Sequence, residues 1–469
     1  MSYHRRMLVL AICCMSLLIV SLDNTALNVA LPSMRQEFDA SVSDLQWTVD
    51  AYTLVLASLL MLSGSTADRV GRRRVFQAGL LLFTLGSLLC SLAPGMGWLV
   101  VFRMVQATGG SMLNPVAMSI ITNVFTDPRE RARAIGVWGG VAGISMAAGP
   151  LAGGLLTETL GWRSIFWLNL PLGVAAMILT ALFVAESKAP RARRFDPVGQ
   201  LLVIVLLGSL TFGIIEAPAE GWTSPLILGC LALAALSLAG LVAYERRRVE
   251  PLIDLRFFRS APFSGATVLA VSAFAALGGF LFLNTLYLQE VRGLDALHAG
   301  LYMVPMASMT LVSAPLSGRI VAARGPRLPT LLAGLTMACS GVLFAGFGAA
   351  QSVALMFTAF VLFGIGFGLV NAPITNTAVS GMPREQAGVA AGITSTSRQI
   401  GMSLGVAVIG SVIATTGPAD NDVAWWIIAG CGAAVLLVGC LTTGTWAAAS
   451  ADRTAKRIAA EDRVHATRA

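Results

Sequence analysis

The sequence predicts an all-α polytopic membrane protein, in which two six-helix bundles related by a pseudo-two-fold repeat flank two extra central helices, fourteen spans in total. Composition is the first reason, because 56% of the 469 residues are hydrophobic, only 12% are charged, and the mean hydropathy is +0.77. Such a chain belongs in lipid. The apolar residues also form fourteen separate runs, and the cations between these runs collect on one side.

The fourteen runs match the thickness of a bilayer, whose core of about 30 Å requires about 20 mostly apolar residues per helix. The first six spans are predicted at 7–31, 48–67, 76–93, 98–124, 134–158 and 164–185. The central pair is predicted at 198–215 and 225–244. The last six are predicted at 261–288, 298–321, 328–349, 353–378, 388–415 and 423–447.

The distribution of positive charge predicts the orientation of the chain. If the helices alternate in direction, 27 of the 32 lysines and arginines fall on the side that holds both termini. Three fall on the opposite side, Arg35, Arg163 and Arg292, and two lie within spans, Arg103 and Arg398. Positive residues favour the cytoplasmic side, and one miscounted span would destroy the asymmetry. We therefore expect a multi-pass protein of the plasma (inner) membrane with both termini in the cytoplasm.

The same charges argue against other classes of protein. A net charge of +8 could indicate nucleic-acid binding, but these cations punctuate apolar runs instead of clustering on one soluble face, so no nucleic-acid partner is expected. The seven cysteines lie in apolar runs without paired spacing, and His4, His298 and His465 are isolated. The pattern predicts no metal site and no cofactor. It also disfavours a membrane enzyme, which would carry a catalytic cluster in a long loop.

A sparse internal repeat supports the division into two bundles. The recurring positions, 254 or 258 residues apart, are Gly64 and Gly318, Gly71 and Gly325, Arg73 and Arg327, Gly110 and Gly368, and Pro115 and Pro373. Repeated halves are common in transporters, which place the substrate site between them near the midplane. We predict an N-terminal bundle over 1–185, a central pair with its loops over 186–260, a C-terminal bundle over 261–447 and a cytoplasmic tail over 448–469.

The loop between the second and third spans reads 64-GSTADRVGRRRVF-76. Its glycines permit a very short connection, and Asp68 can meet the N-terminus of a helix of the opposite bundle, where the macrodipole favours an anion. The loop closely resembles the signature of the major facilitator superfamily. This resemblance implies a role in conformational gating for Gly64, Asp68, Arg69, Gly71, Arg72 and Arg73. The alternative is that the arginines only orient the chain in the membrane.

Three further stretches resemble the drug:proton antiporters with fourteen spans. The fifth span, 139-GGVAGISMAAGPLAGG-154, is similar to the antiporter signature, and 161-GWRSIFWLNLPLG-173 and 22-LDNTALNVALP-32 are typical of the same group. Small residues four apart let helices approach closely, and a proline breaks one backbone bond. The gating residues implied here are Gly149, Pro150, Gly153 and Gly154, although packing alone would also explain the glycines. One departure is that the thirteenth span carries no acidic residue.

The proton-coupling residues should be ionisable groups inside the membrane, since each costs several kcal/mol there. Asp23 lies about 12 Å from the outer end of its span and Arg103 about 8 Å from the outer end of the fourth. The similar depths allow a pair, and the resemblance places the first and fourth helices around one cavity. We expect Asp23 to carry the proton and Arg103 to stabilise its charged form. A buried helix cap and a snorkelling arginine are the alternatives.

Six residues are predicted to contact the substrate. Asp50 begins the second span, where a carboxylate at the outer mouth could attract a cation or could simply be stabilised by the helix dipole. The candidate substrate residues are Asp50, Asp23, Tyr52, Trp47, Phe274 and Tyr287. Arg398, near the start of the thirteenth span, is assigned to conformational gating, with its depth in the bilayer left open.

The resemblance implies a proton-coupled antiporter that exports hydrophobic, cationic drugs by alternating access. Its partners are then small hydrophobic or cationic substrates, protons and the lipid bilayer, and we expect a monomer. Within transport, the alternative is export of a neutral or anionic antibiotic, in which Asp23 couples protons without touching the substrate. A receptor is disfavoured because no sizeable soluble domain is present.

Overall fold

A computed structural model describes residues 3–188, 195–248, 251–345, 352–380, 387–417 and 422–468. Within these ranges the chain is built of long α-helices joined by short loops. They are α1 (Tyr3–Phe38), α2 (Val42–Val70), α3 (Arg72–Ser91), α4 (Met96–Val124), α5 (Pro128–Leu160), α6 (Ser164–Phe183), α7 (Pro197–Glu220), α8 (Pro225–Glu245), α9 (Ala261–Leu286), α10 (Ala296–Arg324), α11 (Arg327–Ala345), α12 (Val353–Val379), α13 (Ala387–Thr416), α14 (Asp422–Thr442) and α15 (Thr445–Arg468). A 3₁₀ turn (Leu255–Arg259) precedes α9 and a π-turn (Tyr287–Val291) follows it.

Thirteen of these helices are long and apolar enough to cross a membrane, and they include every helix from α1 to α14 except α4. Helix α4 has 29 residues but is less apolar, since Arg103, Gln106 and Asn114 interrupt it. It has as many residues as α2 and packs against both α2 and α3, so it completes the fourteen predicted spans. The predicted all-α polytopic architecture is confirmed, although several helices extend past the predicted spans, α1 by four residues at its start and seven at its end.

Helices α1 to α6 pack mainly against one another, as do α9 to α14. Helices α7 and α8 form a hairpin that contacts α2 and α13. We call this hairpin the additional helix pair. The end of the bundle where α1 begins and α14 ends is called the terminal side here, and the other end is called the opposite side.

The expected tail is a helix. Helix α15 is polar but buries Ala447, Ala451 and Ile458 against the start of α9. The hydroxyl of Ser450 accepts a hydrogen bond from the amide of Ala261 at 3.1 Å, which satisfies one unpaired donor of the first turn of α9. Helix α15 therefore covers the start of α9, the first helix of the C-terminal bundle, on the terminal side.

On the opposite side, a glutamine side chain of α2 packs over a glycine of α13 and joins the two helices. Gln46 of α2 is buried, and its Nε2 donates to the carbonyls of Val406 and Ala407 on α13 at 3.3 and 2.8 Å. A Cβ at Gly410 would collide with the Gln46 side chain. The absent side chain at residue 410 is thus what lets the two helices meet.

Helix α1 is joined to the other half at the same level. Nε2 of Gln289, in the π-turn, donates to the carbonyl of Val29 at 2.8 Å. Beside it, Arg35 forms an ion pair of 2.7 Å with Glu290, and both side chains are partly exposed. These bonds close the opposite side between the two six-helix bundles.

A narrow cavity lies between the halves on the terminal side of these bonds. Its free volume of about 10 Å³ is room for about one water molecule. Its lining residues are Thr25, Met146, Leu277, Leu281, Met306, Ala307, Thr310 and Phe367.

One face of α1 differs in exposure along its length. Residues spaced three or four apart share a helix face, and on the face of Thr25 the exposure rises towards the terminal side. Thr25 is buried, Ser21, Leu18 and Cys14 are half-buried, and Ala11 is exposed. The closing bonds thus lie on the opposite side of the cavity, whereas the α1 face that continues from Thr25 becomes more exposed towards the terminal side.

Glycines in α5 and α10 make the third closing contact, and they generate a test. A Cβ at Gly154 would meet the carbonyl of Ala296, and one at Gly300 would meet the carbonyl of Pro150. Gly154→Val should therefore prevent closure, because backbone atoms cannot move aside. We expect spin labels on the opposite-side ends of α1 and α10 to report longer distances in this variant.

The matched control for this test is Gly140→Val, since a Cβ at Gly140 meets nothing within 4 Å. It lies on the same helix and should leave the distances unchanged. Equal distance distributions in the two variants would contradict the closing role of residue 154.

Candidate functional site

A buried carboxylate lies at the centre of the N-terminal half. Arg103 Nη1 donates to Asp23 Oδ2 at 2.5 Å, while Gln106 Nε2 and Asn169 Nδ2 donate to Oδ1 at 2.9 and 2.7 Å. All four residues are fully buried. The structure thus brings together the two ionisable residues that their depths allowed to pair, and it adds two amides that the sequence analysis did not single out.

Arg103 is held from several directions besides Asp23. Its Nη1 also donates to Gln106 Oε1 at 2.6 Å, its Nε donates to the carbonyl of Thr48 at 3.3 Å, and its guanidinium lies 4.2 Å from the centre of the Tyr52 ring. Cation–π contacts with aromatic faces stabilise arginine most strongly where water is excluded. The guanidinium would therefore keep partners if Asp23 lost its charge.

The cluster around Asp23 ties together five helices. Ser87 of α3 accepts from Gln106 at 2.7 Å and from Asn169 at 3.2 Å, so α3, α4 and α6 join α1 and α2. Removing one partner of a buried ion pair typically costs about 3–5 kcal/mol, because an uncompensated charge remains. The arrangement of the N-terminal half is thus linked to the charge of one carboxyl group.

Asp23 does not face the cavity between the halves. Its carboxylate points to α4 and α6, whereas Thr25, two residues further along α1, lines the cavity. Two residues on a helix differ by about 200° in direction. In this conformation a change at Asp23 would reach the cavity only by moving α1.

Asp50 is buried between the halves instead of lying open at the outer mouth. It has no exposed surface, and one oxygen accepts from Thr53 at 3.3 Å while the other lacks a hydrogen-bond partner. Ser403 of α13 lies beside it without forming a well-directed bond. The reason is the closed opposite side, which presses the α2 face carrying Gln46 and Asp50 against α13.

The four candidate aromatic residues are scattered. Trp47 donates its indole N–H to Glu216 of α7 at 2.6 Å, and Tyr52 stacks under Arg103 in the N-terminal half. Tyr287 is buried in the π-turn near the opposite side. Phe274 alone of the four packs against a residue that lines the cavity, Phe367, with ring centres 5.2 Å apart.

Arg398 of α13 lies next to this aromatic pair. Its Nη2 donates to Thr375 Oγ1 at 2.7 Å, and its guanidinium is 5.8 Å from the centre of the Phe274 ring. No acidic side chain in the described part of the chain pairs with it. Arg398 therefore places a positive charge beside the Phe274 ring.

The loop between α2 and α3 does not use Asp68 as expected. Asp68 Oδ1 accepts from Arg72 Nη2 at 3.0 Å, within the same loop. Gly71 adopts a φ of +129°, which side chains avoid, and the amide of Arg73 donates to Glu186 Oε1 at 3.1 Å. Glu186 follows α6, so in this conformation the loop is braced within its own half.

Two other residues of the loop motif also have neighbours in the structure. Gly64 faces Pro115 of α4, and Arg69 has an interaction partner.

The glycines of the fifth span pack against α1. A Cβ at Gly149 would collide with Thr25, and one at Gly153 would collide with Ala26. This close approach places α5 between α1 and α10, next to the cavity, and Pro150 presents its carbonyl to Gly300 at that contact.

Among the residues that the structure describes, no group of three or more His, Cys, Asp or Glu is arranged to hold a metal. Gln106 and Asn169 were the functional candidates that the sequence analysis missed. Gln106 lies one turn from Arg103 and Asn169 lies in the stretch 161-GWRSIFWLNLPLG-173, so a search for uncharged polar residues within spans would have found both.

Comparison with known proteins adds to this geometry. The family model described as Major Facilitator Superfamily matches residues 13–406. The chain belongs to the major facilitator superfamily. It is therefore a multi-pass membrane protein of a transporter family, as the loop after α2 indicated.

Its relatives are drug and antibiotic resistance proteins. The chain is 40% identical over 400 residues to the "Multidrug resistance protein Stp" of Mycobacterium tuberculosis, covering 85% of this chain and 74% of that protein. It is 38% identical, with the same coverage, to the "Tetracenomycin C resistance and export protein" of Streptomyces glaucescens. It is 34% identical to the "Methylenomycin A resistance protein" of Streptomyces coelicolor, covering 89% of this chain and 88% of that one.

Solved structures share the fold at low identity. The human organic anion transporter MFSD10 superposes with a TM-score of 0.64 at 15% identity, covering 94% of this chain and all of that one. A bacterial homologue of the lysosomal transporter Spinster, in an inward-facing and unoccupied conformation, gives a TM-score of 0.62 at 18% identity, covering 97% and 98%. These similarities show that the chain shares the helical fold of these two transporters.

The buried ion pair predicts an asymmetric effect on stability. Arg103→Ala should lower the free energy of unfolding by about 3–5 kcal/mol, because Asp23 is left buried and charged. Asp23→Asn should cost less, since the guanidinium keeps Gln106, Thr48 and the Tyr52 ring. Denaturation in detergent, followed by tryptophan fluorescence, measures both.

The exposed ion pair between Arg163 and Glu37, 2.6 Å long, provides the control. Arg163→Ala should cost at most about 1 kcal/mol, as is usual for exposed pairs. Equal losses for Arg103→Ala and Arg163→Ala would show that the buried pair does not hold the helices together.

Proposed function

We propose that this protein is a proton-driven antiporter that exports hydrophobic, cationic drugs or biocides from the cell by alternating access. The observation that carries the proposal is the fully buried Asp23, paired with Arg103 and bonded to residues of α4 and α6. Ionisable groups within a membrane are expensive and mark proton relays or substrate pathways. The relatives named for multidrug resistance and antibiotic export support export as the direction of transport.

The terminal side is proposed to face the cytoplasm of the inner membrane. The excess of lysine and arginine in the loops on that side supports this orientation. The cavity would then open to the cytoplasm, where a drug enters, with the closed contacts of Gln46, Gln289 and Arg35 towards the outside.

In the proposed cycle, Asp23 carries a proton inward and its charge sets the arrangement of the N-terminal half. In this proposal the present conformation is the state after proton release, in which Asp23 accepts three hydrogen bonds, one of them from Arg103. Once the bundles have rocked open to the outside, a proton on Asp23 would cancel the ion pair. Arg103 would then rest on Gln106 and the Tyr52 ring, and α1 would be free to shift against α4.

The first test of this proposal is Asp23→Asn. The amide keeps hydrogen-bonding capacity but cannot carry a proton, so drug-driven proton movement in inverted vesicles should be abolished while expression persists. Glu37→Gln, an exposed carboxyl group on the same helix, should behave as wild type. Proton movement that survives in the Asp23 variant would refute its role as carrier.

Asp50 is the proposed contact for the positive charge of a substrate. It carries no cation partner within the described chain and lies at the contact between α2 and α13, so it becomes accessible when these helices separate. At an effective dielectric of about 20 and a distance of about 6 Å, one charge pair contributes on the order of 3 kcal/mol before desolvation, and a dication doubles this gross value.

Asp50→Asn should therefore weaken the export of dications several-fold more than that of monocations, with little effect on neutral dyes. Transport of a matched panel of dyes in inverted vesicles measures the difference. Glu158→Gln, an exposed carboxyl group near the opposite side, is the control. If export of all three classes fell in proportion, Asp50 would serve structure or coupling instead of cation recognition.

Export of a neutral or anionic compound is a second candidate, because the cavity lining favours it. The residues around the cavity are apolar except for Thr25 and Thr310, and Asp23 faces away from it. The cation of Arg398 lies next to the Phe274 ring. In that case Asp23 would couple protons without touching the substrate, and the Asp50 variant would leave drug export intact.

A further inference from the structure

Two buried carboxyl groups lie at the terminal-side base of the additional helix pair, far along the chain from Asp23. Asp196 caps the start of α7, and Glu245 is the last residue of α8. Asp196 is only 5% exposed and Glu245 only 3%. The transport mechanism proposed above uses neither of them.

The two groups converge on one glycine. A Cβ at Gly199 would lie 2.7 Å from Glu245 Oε1 and 2.9 Å from Asp196 Oδ2. Because residue 199 has no side chain, both carboxyl groups can approach this point, and their two oxygens lie within about 6 Å of each other. Like charges at such separations strongly disfavour ionisation of both groups.

The hydrogen bonds of the pair are unevenly distributed. Asp196 Oδ1 accepts from the amide of Gly199 at 3.0 Å and from the hydroxyl of Tyr244 at 3.1 Å. Asp196 Oδ2 and both oxygens of Glu245 lack a hydrogen-bond partner, although the amides of Leu252 and Ile253 lie near Glu245. Three buried acceptor atoms thus meet in one place without a directed donor.

The charges of the described surroundings do not balance if both groups are ionised. Arg248 Nε lies 3.8 Å from Asp196 Oδ2, and Tyr244 and the two carboxyl groups are the other titratable side chains at this point. From α2 and α13 the packed residues are uncharged, including Ser58, Ala57 and Ile400. One negative charge would remain, at a cost of several kcal/mol.

We propose that Asp196 and Glu245 form a proton-binding site, in which one proton is held between the two carboxyl groups and Arg248 balances the remaining charge. The proton comes from water on the terminal side and occupies Glu245, whose O–H then donates to Asp196 Oδ2. One oxygen of Glu245 then carries the proton, Asp196 Oδ2 accepts a hydrogen bond from it, and the other oxygen of Glu245 is an uncharged carbonyl. The site is separate from Asp23 and exchanges its proton without crossing the membrane.

The position of this site connects it to α2. Gln200 of α7, one residue after Gly199, donates its side-chain amide to the carbonyl of Ser58 on α2. Val203, Leu207 and Ala57 form a buried apolar cluster directly above. A second charge at the base would have to be solvated, so loss of the proton would draw the start of α7 away from α2.

Infrared difference spectroscopy of the full-length protein in lipid nanodiscs tests the proposal directly. The wild-type spectrum minus that of Glu245→Gln should contain a carboxylic-acid C=O band at neutral pH, and this band should vanish at alkaline pH. Glu220→Gln, an exposed carboxyl group on α7, should give no such band. The measurement requires no transport, so its result is independent of the role proposed for Asp23.

Two further variants test the assignment through the difference between spectra at neutral and alkaline pH, which does not require Glu245→Gln to fold. Asp196→Asn removes the neighbouring negative charge and should shift the disappearance of the band to lower pH, by about one unit or more. Arg248→Gln removes the positive charge and should shift it to higher pH. Absence of the band throughout the accessible pH range, or its insensitivity to both variants, would overturn the proposal. Loss of the band on adding sodium or magnesium at constant pH would show a metal-cation site instead.

Discussion

A charge inside the hydrocarbon layer is costly, and Asp23 and Arg103 each supply the counter-charge that the other needs. Each partner lies on a different helix, so the pair cannot exist unless α1 and α4 are in register. Gln106 and Asn169 add bonds that fix α3 and α6 as well. Most of the N-terminal half is therefore organised around one ionisable group, and the whole half would have to accommodate a change in its charge.

The sequence predicted the fold class and this pair because both follow from hydropathy and depth. It did not predict the amides around the pair, since an amide within a span often bonds only to its own helix. Asn28 and Asn284 do so, donating to the carbonyls of Asn24 and Phe280 at 3.0 and 2.9 Å. Polarity within an apolar run thus predicts a functional role only when another helix supplies the partner.

The placements of Asp50 and Asp68 could not be predicted, because both depend on how the two halves are tilted. The sequence gives the helix and the depth of each residue, which are the same in every conformation. With the opposite side closed, Asp50 is pressed against α13 and Asp68 bonds to Arg72. Their expected neighbours would require a different tilt of the two halves.

The bonds that close the opposite side also have an electrical consequence. Gln46 and Gln289 are uncharged and bond to backbone carbonyls, and Arg35 and Glu290 cancel each other. A membrane voltage exerts about 2.3 kcal/mol per 100 mV on each elementary charge that crosses the field. Because the seal carries no net charge, voltage does almost no work on it when it opens. A voltage across the membrane would therefore neither hold these bonds closed nor pull them open.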